Sequence, residues 1–330
     1  MKILITGGTG FIGCRLALRC LALGHEVTVL GHENNAVESR NRQHIEAKGA
    51  RTVVASVSDR EKLSIAVAGV DWIYHLAAAQ HEANVPDRKF WEINVDGTRN
   101  VLEAGIGAGV KRFVYGSTIG VYGSANGKID ENSPLIPDNV YGVTKLEAER
   151  LVLSFRAQLP VVIIRISETY GPGDHRLLKL YKAIQKGIFF VVGDGSNTHH
   201  LIYIDDLVEG LLLAATVDDA INQTVTLSGK GPVTTREMVE IIARQLRKKT
   251  PRCHLPLSPV LALAAASEAI LRPLGIQPPL HRRRMDFFQK SFLFSGQQSK
   301  RILGFTPVVD FKQGVAETSQ WYQEMGYLSR

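Results

Sequence analysis

The sequence predicts an α/β protein in which a doubly wound parallel sheet is accompanied by a smaller mixed α/β lobe. In the first half, short β-branched runs alternate with helical segments, the pattern of a parallel sheet with helices on its faces. Most of these runs are continuously apolar, as expected for strands that are buried on both sides. A third observation is a glycine-rich turn directly after the first strand. These features place the sheet in the first half and the mixed lobe in the second.

Each element of the first half follows from the local pattern of residues. The predicted strands are the apolar runs Lys2–Thr6, Glu26–Leu30, Thr52–Ala55, Asp71–Leu76, Lys111–Gly116 and Val161–Ile166. The predicted helices lie between them, at Phe11–Leu23, Asp59–Ala68, Phe90–Ala108 and Val140–Phe155. This alternation predicts that the strands run parallel.

The second half mixes helices and strands. Its predicted elements are the helices Leu177–Lys186 and Ile204–Ala215, the strand Gln223–Ser228 and the helix Thr234–Arg247. The last helix begins with Thr234 and Glu237 at the spacing of a capping box. An Ala/Leu-rich helix near 260–270 lies between proline-containing stretches. We expect this helix to be internal packing, with a wall of an apolar substrate pocket as the alternative.

Composition excludes several classes of protein. Of 330 residues, 45% are hydrophobic and 22% are charged, which is typical of globular proteins and not of disordered, collagen-like or coiled-coil chains. Prolines and charges interrupt the longest apolar stretch, Leu255–Leu274, so we expect no stable membrane insertion. The first strand begins at residue 2, so we expect no signal peptide. Three cysteines without a Cys-x-x-Cys pair predict a cytoplasmic protein without disulfides or structural zinc.

The net charge is +7. This excess suits an anionic cofactor and an anionic substrate as well as it suits nucleic acid or an anionic membrane surface. The one concentrated basic run, His281-Arg282-Arg283-Arg284, lacks the interleaved aromatic residues of a single-strand binding platform. We therefore expect a small-molecule substrate and no nucleic-acid partner.

The glycine turn predicts a dinucleotide site. Gly7, Gly10 and Gly13 form Gly-x-x-Gly-x-x-Gly between the first strand and the first helix. In such a turn the first glycine permits a tight bend, the second lets the backbone approach a pyrophosphate, and the third lets helix and strand pack closely. The amides at the helix N-terminus then face the phosphates. Cys14-Arg15 follows where an ATP-binding loop has Lys-Ser/Thr, so that alternative is not favoured.

This turn makes the sheet Rossmann-type. We expect residues 1–166, together with 199–228, to form the dinucleotide-binding domain. Residues 167–198 and 229–330 are expected to form the substrate-binding lobe.

The end of the second strand bears on cofactor choice. An NAD site usually places an acid there, against the ribose 2′-hydroxyl. Here Gly31 and His32 follow the strand, so no carboxylate repels a 2′-phosphate. His32 and Arg15 can add positive charge nearby. We expect NADP to be favoured slightly over NAD, against the alternative that this segment is simply an exposed loop.

Tyr141 and Lys145 are candidates for acid–base chemistry. They lie four residues apart in a predicted helix and therefore share one face. A lysine ammonium beside a phenol stabilises the phenolate and lowers the phenol pKa from about 10. The pair is suited to the interconversion of hydroxyl and carbonyl groups, although the same spacing also occurs by chance on many helices.

Further motifs accompany this pair in a fixed order. They are Thr6–Gly13, His75-Leu76-Ala77-Ala78, Asn94–Thr98, Ser117-Thr118 before Val121-Tyr122-Gly123, Tyr141–Lys145, Tyr170-Gly171-Pro172-Gly173 and Tyr203–Leu207. The combination resembles the extended short-chain dehydrogenase/reductase superfamily, also called the NAD-dependent epimerase/dehydratase family. The resemblance extends from residue 1 to about residue 325. It implies an NAD(P)-dependent epimerase, dehydratase or reductase.

The resemblance implies a role for each matching position. Thr118 would hydrogen-bond the reacting oxygen, Tyr141 would pass the proton, and Lys145 would bind the nicotinamide ribose. The implied cofactor-binding residues are Gly7, Gly10, Phe11, Ile12, Gly13, His32, Ser56, Val57, Leu76, Ala77, Ala78, Tyr141, Lys145, Tyr170 and Pro172. Thr118 replaces the more usual serine, and Ser56 replaces an aspartate that many members have near the adenine. A homodimer is also implied, paired through Phe90–Ala108 and Val140–Phe155.

Substrate identity is less well indicated. The implied substrate-binding residues are His81, Thr118, Glu168, His199 and Arg284. His199-His200 stands where nucleotide-sugar enzymes often have an arginine for the diphosphate, and Ser167-Glu168 where they often have an asparagine. Arg282, Arg283 or Arg284 can replace that phosphate contact, although such a run is more often a solvated face. Adjacent histidines on a strand point to opposite faces, so we expect no metal site.

Three functions follow as hypotheses. The first is a nucleotide-sugar 4-epimerase or keto-reductase. The second resembles the 3β-hydroxysteroid dehydrogenase or dihydroflavonol reductase branch, which acts on apolar alcohols or ketones. The third is a non-catalytic NAD(P)-binding sensor or scaffold, which the presence of Thr118, Tyr141 and Lys145 disfavours, because a pure binder needs no tuned phenol.

Overall fold

The fold is built on a twisted parallel sheet. The computed structural model describes residues 1–80, 86–125, 127–251, 254–271 and 282–329, with the backbone alone at 254 and 282–284. Within these residues the strands are β1 (Lys2–Thr6), β2 (Glu26–Gly31), β3 (Arg51–Val54), β4 (Trp72–His75), β5 (Arg112–Thr118), β6 (Lys128–Ile129), β7 (Val161–Ile166), β8 (Thr169–Tyr170), β9 (Val191–Val192), β10 (Thr198–His199), β11 (Ile202–Tyr203), β12 (Thr224–Leu227), β13 (Val233–Thr234), β14 (His254–Leu255) and β15 (Leu293–Phe294).

The helices cover both faces of this sheet and build the second lobe. Within the described residues they are α1 (Phe11–Ala22), α2 (Ala36–Ala47), α3 (Arg60–Val67), α4 (Asp87–Trp91), α5 (Gly97–Gly107), α6 (Val140–Ser154), α7 (Leu178–Gln185), α8 (Ile204–Thr216), α9 (Thr235–Gln245), α10 (Leu257–Leu271), α11 (Arg282–Gln289), α12 (Gln297–Leu303) and α13 (Phe311–Glu324). A π-helical turn, Glu92–Asp96, joins α4 to α5.

The main sheet has the order β12-β7-β5-β4-β1-β2-β3, and all its strands are parallel. The order reverses on either side of β1 and β4, which is the doubly wound topology. The α/β fold with a Rossmann-type sheet is therefore confirmed. Strand β12 returns from the second half to pair with β7 through Thr224 and Ile163, as the predicted strand Gln223–Ser228 requires.

Several predicted elements need correction. The segment Phe90–Ala108 is not one helix, because the π-helical turn interrupts it. Helix α2 was not predicted, since Ile45 is its only buried residue in the described chain and no apolar stripe marks it. The capping box of α9 is confirmed: Thr234 and Glu237 each accept from the other's backbone N–H.

The Ala/Leu-rich helix is not internal packing. In α10, Ala264 is the one buried residue among those described, while Leu263 and Ile270 are 62% and 64% exposed. This prediction was wrong because the apolar character that usually marks a core helix here lies mostly on the surface. None of the described helices is long and apolar enough to cross a membrane.

A buried ion pair joins α6 to the main sheet. Glu149 of α6 and Arg165 of β7 meet at 2.8 Å, and their side chains are only 4% and 5% exposed. The Glu149 carboxylate also accepts from the hydroxyl of Ser117 at 2.5 Å. A guanidinium nitrogen of Arg165 donates to the hydroxyl of Tyr122 at 2.9 Å. The pair therefore connects α6 with β7, with Ser117 of β5 and with Tyr122.

We predict that Glu149→Gln lowers the free energy of unfolding by about 3–5 kcal/mol, because it leaves the Arg165 charge buried without a counter-charge. Glu147→Gln is the matched control, since Glu147 pairs with Arg150 at 3.0 Å on the exposed face of the same helix. That change should cost about 0.2–1 kcal/mol. Urea unfolding measures both, and equal losses would contradict the structural importance of the buried pair.

Candidate active site

The predicted catalytic residues lie on two elements that pack against each other at the carboxyl edge of the sheet. Thr118 ends β5, while Tyr141 and Lys145 are one turn apart in α6. Helix α6 begins where the Asn139 side chain accepts from a backbone N–H of the first turn at 3.0 Å. It packs against β5 and against the 3₁₀ turn Ile119–Tyr122. The fold thus brings the elements that carry all three side chains together.

The hydroxyl of Thr118 is oriented by a backbone N–H two residues further along the chain. It accepts a hydrogen bond from the N–H of Gly120 at 3.1 Å and so caps the 3₁₀ turn. A hydroxyl has one proton besides its lone pairs, so the Thr118 proton is left for another acceptor.

Lys145 is buried almost completely, at 1% exposed. Its ammonium donates to the carbonyl oxygen of Gly116 at 2.7 Å and lies 4.0 Å from the centre of the Tyr115 ring. Burial lowers the pKa of Lys145 to about 7, and the charge of Glu149 only partly opposes this effect. The lysine is therefore held in a fixed position and close to its point of ionisation near neutral pH.

Asn94 links α6 to the loop after β4. It lies in the π-helical turn, and its side-chain amide accepts from the N–H of Ala79 at 2.8 Å and donates to the hydroxyl of Thr144 at 3.0 Å. It is 1% exposed. Single π-helical turns often occur at functional sites. Here the turn points an otherwise buried amide at the residue next to Lys145.

The glycine turn has the geometry that the sequence predicts at its first and third positions. Gly7 has φ +71°, which favours glycine, and a Cβ there would lie 2.7 Å from the N atom of Ala77. A Cβ at Gly13 would lie 2.4 Å from the carbonyl oxygen of Gly7. Gly10 is the N-cap of α1, and among the described residues no side chain caps it. The first amides of α1 are thus left for a ligand.

The loop after β4 lies beside this turn. His75 is fully buried and bridges the hydroxyls of Thr6 at 2.6 Å and Thr98 at 2.9 Å. Burial lowers the pKa of His75 to about 3, so the ring is neutral. Leu76, Ala77 and Ala78 follow it as partly exposed residues. They are therefore accessible at the edge of the turn.

The space around Gly31 is tighter than the sequence suggests. A Cβ at this position would lie 2.5 Å from the hydroxyl oxygen of Thr9 in the glycine turn. His32 is exposed next to it. Arg15, in contrast, is engaged elsewhere, since it donates to both carboxylate oxygens of Asp205 in α8 at 2.5 and 2.7 Å. Of the two predicted cations, only His32 is without such an ion pair in the described chain.

The other predicted cofactor residues vary in accessibility. Phe11, Ile12, Ser56 and Pro172 are partly exposed, whereas Val57 is buried. Tyr170 is 1% exposed, and its ring packs 5.1 Å from that of Phe311. Tyr170 is thus chiefly part of the second lobe's core, and its role at the cofactor stays a prediction.

Glu168 and His199 form one hydrogen-bonded unit. His199, 2% exposed, lies with Nδ1 3.0 Å from the Glu168 carboxylate and Nε2 3.0 Å from the Thr235 hydroxyl. The ring of Phe287 lies 4.5 Å from the His199 ring. Burial of Glu168 is outweighed by His199 and by the charge of Arg176, so the pKa of Glu168 is lowered.

His200 faces other partners than its neighbour. Its Nε2 lies 2.9 Å from the carbonyl oxygen of Gly229, and its Nδ1 accepts from the N–H of Phe294 at 3.0 Å. Groups of three or more side chains able to hold a metal are not found in the described part of the chain.

Two predicted substrate residues cannot be located. His81 lies outside the described residues. Arg284 belongs to α11, but the structure describes only its backbone, as it does for Arg282 and Arg283.

The sequence reasoning missed Glu149 and Arg165, and it named Asn94 within the motif Asn94–Thr98 without assigning it a role. Glu149 follows Lys145 by four residues, as Lys145 follows Tyr141, so a third position on the same helix face was the available signal. The partners Arg165 and Ala79 are distant in the sequence, and no local pattern identifies them.

The chain is similar to enzymes with this fold. Residues 3–227 match the model of the NAD dependent epimerase/dehydratase family. A UDP-N-acetyl-alpha-D-glucosaminuronate decarboxylase of Bacillus cytotoxicus is 28% identical, with 98% of each chain covered. A 3beta-hydroxysteroid-dehydrogenase/decarboxylase (isoform 1) of Arabidopsis thaliana is 27% identical, covering 95% of this chain and 78% of that protein.

Among solved structures, UDP-glucuronic acid 4-epimerase from Bacillus cereus in complex with NAD superposes with a TM-score of 0.80 at 23% identity, covering 98% of this chain and 99% of that one. At this identity the likeness establishes the fold. The family match extends over the glycine turn, β5, α6 and the return of β12. The chain therefore belongs to the NAD-dependent epimerase/dehydratase family and is an NAD(P)-dependent enzyme of the extended short-chain dehydrogenase/reductase type.

Proposed function

We propose that this enzyme interconverts a hydroxyl and a carbonyl group on a nucleotide sugar, with Tyr141 as the group that moves the proton. The observation that carries the proposal is the buried Lys145, one helical turn from Tyr141 and hydrogen-bonded at the end of the strand that carries Thr118. A lysine so placed has little structural reason to be there, because burying an amine is costly unless its charge is used.

The proton steps follow from the positions of these residues. A nicotinamide held at the glycine turn would supply hydride exchange with the substrate carbon. During oxidation the substrate hydroxyl would give its proton to the Tyr141 phenolate, and in the reverse direction the Tyr141 phenol would return it to the carbonyl oxygen. The Thr118 hydroxyl would donate its proton to the same oxygen, since its contact with the N–H of Gly120 uses one of its two lone pairs and not its proton. Lys145 stabilises the phenolate whenever the lysine is charged.

The relatives support a nucleotide sugar as the substrate. The decarboxylase of Bacillus cytotoxicus and the 4-epimerase of Bacillus cereus are both named for UDP-linked uronic acids. As a 4-epimerase the enzyme would let the keto intermediate rotate in the site, so that its opposite face is reduced. As a keto-reductase it would release the reduced product.

A second candidate, reduction or oxidation of an apolar alcohol or ketone, is favoured by the surroundings of His199. The position where nucleotide-sugar enzymes often carry an arginine is buried, and its ring packs on Phe287. Glu168 beside it is an acceptor that would repel a diphosphate. The Arabidopsis relative named as a hydroxysteroid dehydrogenase agrees with this alternative.

We also propose a homodimer and a slight preference for NADP. Trp91 of α4 and Val143 of α6 are 40% and 38% exposed, so apolar surface is available on the helices expected to pair. For the cofactor, Gly31 leaves no carboxylate opposite a ribose 2′-phosphate, and His32 is exposed beside it.

Tyr141→Phe should reduce turnover at least about a hundredfold and leave cofactor affinity nearly unchanged, because the loss is that of an acid–base group. UDP-glucose, UDP-glucuronic acid and a panel of hydrophobic ketones serve as substrates, and cofactor fluorescence measures binding. Tyr74→Phe is the matched control, since the buried Tyr74 hydroxyl has no hydrogen-bond partner among the described residues. Wild-type turnover in Tyr141→Phe would refute the assignment.

Gly31→Asp should shift the ratio of NADP to NAD affinity toward NAD by at least about tenfold, because one opposed or lost charge–phosphate contact is worth roughly 1.5–3 kcal/mol. Any side chain at this position must displace the Thr9 hydroxyl, so Gly31→Ala measures that steric effect alone. Isothermal titration with both cofactors gives the ratios. An equal shift in both variants, or a wild type that binds NAD much more tightly than NADP, would contradict the proposed preference.

A further inference from the structure

Helix α10 is apolar all round and yet lies on the surface. Glu268 is its one charged residue, and Ala264 is its one buried residue among those described. A helix that is hydrophobic on every side normally lies in a protein core or a membrane. Among the described residues, the packing leaves much of α10 exposed, so this surface can accept another apolar neighbour.

Apart from Ser258 in the first turn, the exposed residues of α10 form one continuous stripe. They recur at helical spacing and are Pro259, Ala262, Leu263, Ala266, Ala269 and Ile270. Leu263 and Ile270, the two largest, are 62% and 64% exposed. The stripe contains no charged side chain. It is thus an apolar surface about as long as the helix.

The sequence around this stripe carries the positive charge of the whole protein. From Arg244 to Lys290 there are ten Lys and Arg residues and two acidic residues, a net charge of +8. The complete chain has a net charge of +7, so the remainder is at −1. Arg247, Lys248 and Lys249 are exposed before α10, and α11, which begins at Arg282, packs against it. The apolar stripe therefore lies within a strongly basic region.

We propose that α10 and its basic flanks bind the surface of an anionic lipid bilayer, with the stripe in the interfacial region. An apolar helix face combined with Lys and Arg clusters is the usual chemistry of peripheral attachment to anionic lipids. A second copy of this chain would bring two regions of +8 together, and nucleic acid offers nothing to cover the apolar residues. The attachment does not depend on the identity of the substrate.

The test is flotation of the full chain with lipid vesicles. Vesicles of phosphatidylcholine with 30 mol% phosphatidylglycerol, about a third anionic as in acidic membrane surfaces, should bind at least about tenfold more protein than pure phosphatidylcholine. Binding should weaken as the salt concentration rises, because charges at the surface are screened. Absence of binding to the anionic vesicles at low salt would overturn the proposal.

Variants locate the contact. Leu263→Glu combined with Ile270→Glu should lower binding at least about tenfold. Each change removes an apolar side chain that would be buried in the bilayer and adds a negative charge that anionic lipids repel. Ile65→Glu is the matched control, since Ile65 is 49% exposed on α3, which packs on α5 and β2, and this change should leave binding unchanged. The triple variant Arg247→Gln, Lys248→Gln and Lys249→Gln should lose mainly the additional binding to anionic vesicles over neutral ones.

Two results would contradict the membrane surface. One is unchanged vesicle binding in the α10 double variant. The other is a halved solution mass of that variant in light scattering, which would identify a second copy of the chain as the occupant. Circular dichroism and thermal unfolding confirm that each variant is folded, and because the replaced side chains are exposed, folding should persist.

Discussion

The packing of helix α6 on strand β5 leaves Lys145 only 1% exposed, and the candidate site depends on this burial. Burial favours the neutral amine, while Glu149 one turn further along favours the charged form. Much of the Glu149 charge is already used by Arg165 and Ser117. The lysine is consequently left near its ionisation point, with a pKa of about 7 against an ordinary value of 10.5.

This balance has a consequence for stability. Between about pH 7 and 10.5 the unfolded chain binds a proton at Lys145 that the folded chain does not. The contribution of this group to the free energy of unfolding therefore rises with pH across that window, and below it the buried charge is a cost. Any negative charge that approaches Lys145 when cofactor and substrate are bound favours the charged form of the lysine. That form is the one that stabilises a Tyr141 phenolate.

The same edge of the sheet carries features that point to different substrates. Thr118, Tyr141 and Lys145 would suit any secondary alcohol or its ketone, since in their proposed roles they act on one oxygen and one proton. Under this proposal selectivity comes from other contacts, such as Glu168 and His199, which are held in a closed pair. The pair presents the Glu168 carboxylate, an acceptor that would repel a diphosphate, and it is the most direct structural reason to test apolar substrates beside UDP-linked ones.

Local patterns predicted much of the fold and the outline of the site. The runs Lys2–Thr6 and Val161–Ile166, the glycine turn and the capping box of α9 are recovered in the structure because each depends on residues adjacent in the sequence. The π-helical turn at Glu92–Asp96 was not predicted, because Asn94 is fixed by partners far along the chain.

Other misses have the same cause. The ion pair of Arg15 with Asp205 joins positions 190 residues apart and withdraws a cation that the sequence assigns to the cofactor. The exposure of α10 is likewise a result of what does not pack against it. Composition predicts that such a helix needs an apolar neighbour, but only the tertiary structure shows that the described residues leave much of it exposed.

The most direct test is the titration of Lys145 itself in the cofactor-free protein. Lysine side chains labelled with ¹³C at Cε can be followed by nuclear magnetic resonance from pH 5 to pH 11, roughly the range that spans shifted and ordinary lysines. The Lys145 resonance is assigned by its absence in Lys145→Met. The account predicts a midpoint at about pH 7. A midpoint above about pH 9.5, close to that of an exposed lysine, would show that the amine is solvated and would contradict the burial of Lys145.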